Sequence, residues 1–195
     1  MKKIVLASAS PRRQALLRQA GIDFELRVPD VDEHADGEDL ISPYDLVKIL
    51  SERKALEALK AAGDSEVIIA ADTVVALGGA VMGKPAGADG AAEMLRRLGG
   101  KKHSVYTGLA MINKNPDGYE MKSLVDTTEV YMRALTEAEI AAYIGTGEPF
   151  DKAGAYAIQG KGAFLIEGIE GDFYTVMGLP LVKVYLALRE WGIEI

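Results

Sequence analysis

Val67 to Ala71 form an uninterrupted apolar run, Val-Ile-Ile-Ala-Ala, followed by the polar pair Asp72-Thr73. A strand with one face in water alternates apolar and polar residues. A continuous run is expected where a strand lies centrally with both faces covered. Such a strand needs sheet neighbours and flanking helices, and the rest of the chain is patterned to supply both.

Ile4 to Ala7 reads as a second short buried strand, and Ser8-Ala9-Ser10-Pro11 as the turn into a helix through Ala20, ended by Gly21. Ser10 suits the cap, and Pro11 the first helical position, where a missing N–H costs little. Phe24 to Val28 is expected to be a strand. A helix starting near Pro43 and closed by Gly63 places Leu46, Ile49, Leu50 and Leu56 on one arc. Val74 to Leu77 and Ala80 to Met82 flank Gly78-Gly79 as a hairpin. Ala88 to Leu98 is helical with Ala91, Leu95 and Leu98 inward, and Val105 to Asn113 pairs with Tyr119 to Tyr131 around Pro116-Asp117-Gly118. Thr136 and Glu139 make a capping box for a helix ending at Gly145. Beyond the Gly-rich stretch 145–162, Phe164 to Ile169 and Phe173 to Met177 read as a further hairpin, and a last helix uses Leu181, Val184, Tyr185 and Leu188. This order predicts an α/β fold with a mixed sheet, not an all-parallel one. At 195 residues, 49% of them hydrophobic, the chain has the size and core of a single domain, 1–195.

Composition removes several classes of chemistry. With no cysteine there are no disulfides, thiolate zinc sites or cysteine nucleophiles. The two histidines, His34 and His103, cannot build a multi-histidine metal centre, whereas a carboxylate-held Mg²⁺ or Mn²⁺ remains open. A net charge of -7 argues against nonspecific nucleic-acid binding. The apolar stretch Ile4 to Ala9 is too short to span a membrane and runs into Arg12-Arg13, so the cytoplasm is the expected compartment. No Walker A loop, Rossmann glycine fingerprint or G-x-S-x-G elbow is present.

Three segments carry candidate chemistry. In Ser8-x-Ser10-x-Arg12-Arg13 the N–H groups of a helix start and two guanidiniums offer donors to phosphate oxygens. Cations there oppose the helix dipole, a conflict an anionic ligand would relieve; a capped surface helix with two solvated arginines fits the same residues. Asp72 follows the central strand, where a carboxylate can bind a divalent ion or deprotonate water, and Thr73 adds a hydroxyl; a strand-ending turn accounts for both equally well. In Glu148 to Gly160, small residues admit a ligand to the backbone, Gln159 offers a donor and an acceptor to a nucleobase edge, and Tyr156 can stack or hydrogen-bond. An ordinary Gly-rich connection with a packed tyrosine is the alternative. Glu33 lies in a run of seven acids between residues 28 and 47 that lacks Lys and Arg, and a solvated loop explains it. Lys54 reads as solvated beside its helix's apolar arc, Arg53 as snorkelling within it, and Lys84 as a rigid-turn lysine able to reach a phosphate.

Taken in order, Leu6-Ala7-Ser8-Ala9-Ser10-Pro11-Arg12-Arg13, Asp32-Glu33, Lys54-Ala55, Ala71-Asp72-Thr73-Val74-Val75, Gly83-Lys84-Pro85, Thr107-Gly108, Glu148 to Gly160 and Gly178-Leu179-Pro180 resemble the Maf family of nucleoside triphosphate pyrophosphatases across nearly the whole chain. Ala9 stands where relatives often carry glycine. The resemblance implies a twisted mixed sheet with flanking helices, two lobes around a central cleft and a relation to inosine-triphosphate pyrophosphatases. It also implies hydrolysis of a nucleoside triphosphate to monophosphate and pyrophosphate with Mg²⁺ or Mn²⁺. By that resemblance Asp72 is the proton acceptor, and Arg12, Thr73 and Gln159 select substrate as in the branch acting on dTTP and UTP. Ser8, Ser10, Arg12, Arg13, Lys54, Lys84 and Lys152 contact phosphates, and Glu33 and Asp72 face the metal. It further implies a nucleoside triphosphate as binding partner, no membrane or direct nucleic-acid partner, and a homodimer. A noncatalytic nucleotide-binding regulator linked to septum formation, or another phosphoester hydrolase, are the other readings open at this point.

Overall fold

The computed structural model describes residues 2–31 and 41–195. Its strands are β1 (Lys3–Leu6), β2 (Glu25–Leu26), β3 (Glu66–Leu77), β4 (Ala80–Met82), β5 (Lys102–Asn115), β6 (Gly118–Met132) and β7 (Ile166–Glu170). They form one mixed sheet in the order β2-β1-β3-β5-β6-β7, with β4 paired to β3. The helices are α1 (Pro11–Gln19), α2 (Pro43–Leu59), α3 (Gly87–Leu98), α4 (Glu137–Ile144), α5 (Phe173–Met177) and α6 (Leu181–Glu190). Among the described residues no helix is long and apolar enough to cross a membrane.

The chain groups into two compact units. One comprises Met1–Asp72, Thr107–Asp126 and Gly178–Ile195, the other Thr73–Tyr106 and Thr127–Met177. In the first, β1 runs parallel to β2 and to β3, with Leu6 opposite Ile69. One face of β1, β3 and β5 carries Val5, Ala7, Ile68, Ala70, Ala110 and Ile112, packed with Ala55 and Ala58 of α2. Side chains alternate along a strand, so Asp72 and Gly108 fall on this same face. A Cβ built on Gly108 would stand 2.1 Å from the Val47 carbonyl oxygen and 2.8 Å from Ser51 Oγ. Helix α2 therefore lies as close to β5 as backbone allows, and only glycine fits beneath it.

In the second unit, Val75, Met82, Leu95, Leu98, Val105, Val130, Met132, Ile140, Tyr143 and Tyr156 share a core. Val75 pairs with Met82 across the Gly78-Gly79 turn, as the sequence predicts. The Thr136–Glu139 capping box is present in full.

Four local expectations are corrected. The predicted strand from Phe24 to Val28 shrinks to Glu25–Leu26, both exposed at the sheet edge. Helix α2 stops at Leu59 instead of running to Gly63, and its buried face is Leu46, Val47, Leu50, Ser51, Lys54, Ala55 and Ala58, leaving Leu56 exposed. The expected hairpin after Phe164 is half right. Strand β7 pairs antiparallel with β6, but Phe173–Met177 is helical, because Asp172 accepts the Tyr174 N–H at 3.0 Å and starts a turn there. On α6, Tyr185 is exposed, while Val184, Ala187 and Leu188 are buried.

Gly108→Ala should lower stability by about 3 kcal/mol or more, the upper end for overpacking, because the methyl group's two nearest contacts are main-chain atoms of Val47, which cannot swing away as a side chain can. Urea unfolding with an unchanged midpoint would contradict the close approach of α2.

Candidate active site

Parity brings Asp72 to the α2 face, and Lys54 lies one turn before Ala58 on the face of α2 that meets it. Lys54 Nζ donates to Asp72 Oδ1 at 2.6 Å, the side chains being 9% and 13% exposed. The solvated lysine expected from the leucine arc is thus a buried ion pair, and Arg53, expected on the apolar arc, is exposed. Asp72 also does not end its strand, since β3 continues through it to Leu77.

The Ser8 turn stands at the same end of the parallel strands. Beyond Leu6 the ladder continues with Ala7 N–H donating to the Ile69 carbonyl at 2.8 Å, which puts Ser8 level with the last residues before Asp72. Ser10 caps α1 through the Arg13 N–H, and the Ser10 N–H in turn donates to Ser8 Oγ at 3.2 Å. No acid occupies the first turn of α1. Arg13 is buried; its Nε donates to the Gly178 carbonyl at 2.8 Å and its Nη1 to Ser8 Oγ at 3.1 Å, fixing the guanidinium plane. Arg12 is half-buried beside it.

The second unit holds the remaining candidates. The Gly154 N–H donates to the Gly83 carbonyl at 3.0 Å, which joins the turn bearing Lys84 to the turn bearing Lys152. Gly154 has φ +68° and a Cβ there would press on Val75 at 3.0 Å, while Ala155 follows in the left-handed region with φ 59°. Lys84 is exposed. Lys152 Nζ donates to the Glu148 carbonyl at 2.7 Å and to Asp151 Oδ1 at 2.6 Å. Thr73 is half-buried in β3 and Gln159 is exposed. Glu33, with the centre of the acidic run, lies outside the described residues.

Two side-chain pairings in this unit had no sequence signal. Glu148 Oε1 accepts the Tyr143 hydroxyl at 2.9 Å and the Gly162 N–H at 3.0 Å, and its Oε2 accepts the Lys161 N–H at 3.1 Å. Burial works against its charge, but these N–H and O–H donors hold its pKa below the usual carboxylate value. Tyr156, open in sequence between a ligand contact and a packed tyrosine, is buried with its hydroxyl 2.7 Å from His103 Nε2, the rings edge to face. Burial lowers the His103 pKa from 6.5 to about 4, so the imidazole is neutral at pH 7. Nothing in a single sequence pairs a histidine with a tyrosine fifty-three positions later.

The site's donor chemistry suits a hard divalent cation. Among the described residues no three or more His, Asp or Glu side chains cluster as an all-protein cage would require. Mg²⁺ commonly takes one or two carboxylates and fills its shell with phosphate oxygens and water, a set that Asp72 can begin.

A family model described as Maf-like protein matches residues 3–191. Among similar proteins, a dTTP/UTP pyrophosphatase of Desulforamulus reducens is 46% identical over all of both chains. One of Carboxydothermus hydrogenoformans is 48% identical over 97% of this chain and 99% of its own. A solved nucleoside-triphosphatase / dITP/XTP pyrophosphatase of Mycobacterium abscessus aligns over 97% of this chain and 94% of its own, with 18% identity and a TM-score of 0.42.

His103 gives a pH prediction. Its folded pKa lies below the unfolded one, so the unfolded chain takes the proton first and stability falls as pH drops from 6.5 towards 4. The full window corresponds to about 3 kcal/mol. His103→Gln should show a shallower loss of urea stability across that window than the parent; parallel curves would contradict the neutral buried imidazole.

Proposed function

The chain belongs to the Maf family, and from that premise we propose that it hydrolyses dTTP and UTP to the nucleoside monophosphate and pyrophosphate. The full-length likeness to relatives named for this activity supports the reading. The observation that carries it is the placing of a guanidinium-bearing helix start and the Lys54–Asp72 pair at one end of the same parallel strands.

The N-terminus of α1, Ser8, Ser10, Arg12 and Arg13 take the triphosphate oxygens, where N–H groups and guanidiniums both favour negative charge. Lys84 and Lys152 add phosphate contacts, and Thr73 and Gln159, with Arg12, select a pyrimidine carrying two carbonyls. Lys54 holds one oxygen of Asp72, so the carboxylate is oriented before substrate arrives. Asp72 accepts the proton of a water whose oxygen bonds to the α-phosphorus. The bond from that phosphorus to the bridging oxygen breaks, and pyrophosphate departs with the electron pair. No covalent nucleophile is needed, because positioning and charge stabilisation supply the rate. Asp72 and Glu33 are the residues for Mg²⁺ or Mn²⁺, which when bound neutralises charge on the phosphate oxygens. We read residues 1–195 as one catalytic domain, acting as a homodimer without nucleic-acid partners.

Product analysis over a nucleotide panel with Mg²⁺ or Mn²⁺ tests this. Equal yields of dTMP or UMP and pyrophosphate are expected, with loss of turnover on chelation. Orthophosphate as first product, or binding without product, overturns the assignment. Asp72→Asn should fold normally by circular dichroism and lose about 10²- to 10⁴-fold in turnover, the range for a positioned proton acceptor. Turnover near the parent value removes Asp72 from that role.

A further inference from the structure

Gln159 sits between two stretches of main chain that are gripped from below by the same pair of side chains. On its N-terminal side the Ala157 N–H donates to the Tyr143 hydroxyl at 3.1 Å. That hydroxyl donates onward to Glu148 Oε1, which also accepts the Gly162 N–H, while Oε2 accepts the Lys161 N–H. The Gln159 loop is thus closed by a continuous hydrogen-bonded chain from residue 157 through Tyr143 and Glu148 to residues 161 and 162. Two glycines make room for it. A Cβ on Gly160 would lie 2.7 Å from Glu148 Oε2, and one on Gly162 would lie 2.3 Å from the Ala157 carbonyl oxygen. Tyr143 is 5% exposed on α4.

We infer that Tyr143 and Glu148 are positioning residues that set nucleobase selectivity by fixing the backbone on either side of Gln159. The inference rests on the base-reading role of Gln159 given above. An exposed glutamine on an unbraced loop would sample many directions and discriminate weakly. Tied at 157, 161 and 162, the backbone fixes where the Gln159 side chain starts, so its amide searches fewer directions and an incorrect base leaves a donor or acceptor unmatched. Both act through the main chain they hold, as positioning residues and not as substrate contacts.

The test measures kcat/KM for dTTP and dCTP, together with inhibition by tripolyphosphate, which has the phosphates and no base. Tyr143→Phe keeps the ring and removes the link. It should lower the dTTP-to-dCTP ratio about tenfold, as expected for one lost hydrogen bond, and leave the tripolyphosphate inhibition constant unchanged. In a Gln159→Ala background the same substitution should change the ratio no further, because both act through one residue. If Gln159→Ala lowers the ratio and Tyr143→Phe does not, the positioning role is wrong and base reading by Gln159 survives. If Gln159→Ala leaves the ratio intact, base reading fails and takes this inference with it. Equal weakening of dTTP, dCTP and tripolyphosphate would mean general loosening and would also overturn the proposal. Should Tyr143→Phe fail to fold, Glu148→Gln, isosteric and without the charge, is read against the same outcomes.

Discussion

A hydrogen atom at Gly108 lets the carbonyl of Val47 and the hydroxyl of Ser51 occupy space that any side chain would claim. From that seat α2 runs on past Ser51 to Lys54, and the ammonium arrives at Asp72. The ion pair is therefore a product of helix-to-sheet distance as much as of charge. Desolvating two charges is expensive, and their attraction offsets that cost only where the geometry is good. A carboxylate held this way is oriented without help from substrate.

The helices treat their dipoles differently. Helices α2 and α4 carry acids in their first turns, Asp45 in one and Glu137 with Glu139 in the other. Helix α1 carries none and instead places Arg12 and Arg13 there, with Arg13 buried. Local rules are broken where function asks for it, and here the break concentrates positive potential at a helix start already rich in N–H donors. The Gly178 carbonyl and Ser8 hydroxyl hold the Arg13 plane, so part of the ordering a bound phosphate would otherwise impose is done in advance.

Much of this was legible in the residues. The run Val67 to Ala71 declared a central strand, Ser10-Pro11 the start of α1, and Thr136 with Glu139 the capping box, because each signal is local and carried by residue type. The face of α2 was not, since its contact surface is built from Ser51, Lys54, Ala55 and Ala58, which hydrophobic periodicity counts lightly or not at all. Leucines at 46, 49, 50 and 56 pulled the expected arc round the helix and made Lys54 look solvated. Helix α5 was missed because Phe173 to Met177 looks like strand composition, while the Asp172 cap that decides the matter is a single side-chain bond. Glu148 was named only as one acid among small residues; two of its partners are main-chain N–H groups, which no residue type announces.

The oxygen that steers Arg13 belongs to a residue 165 positions further along the chain. Synthesis proceeds from the N-terminus, so a nascent chain that has reached Met177 already contains α1, its cap and both arginines. It still lacks the carbonyl that orients one of them. Any product broken off before Gly178 lacks the acceptor of the Arg13 Nε and keeps only part of what holds that guanidinium, so the turn is completed only when one of the last segments folds back onto the first.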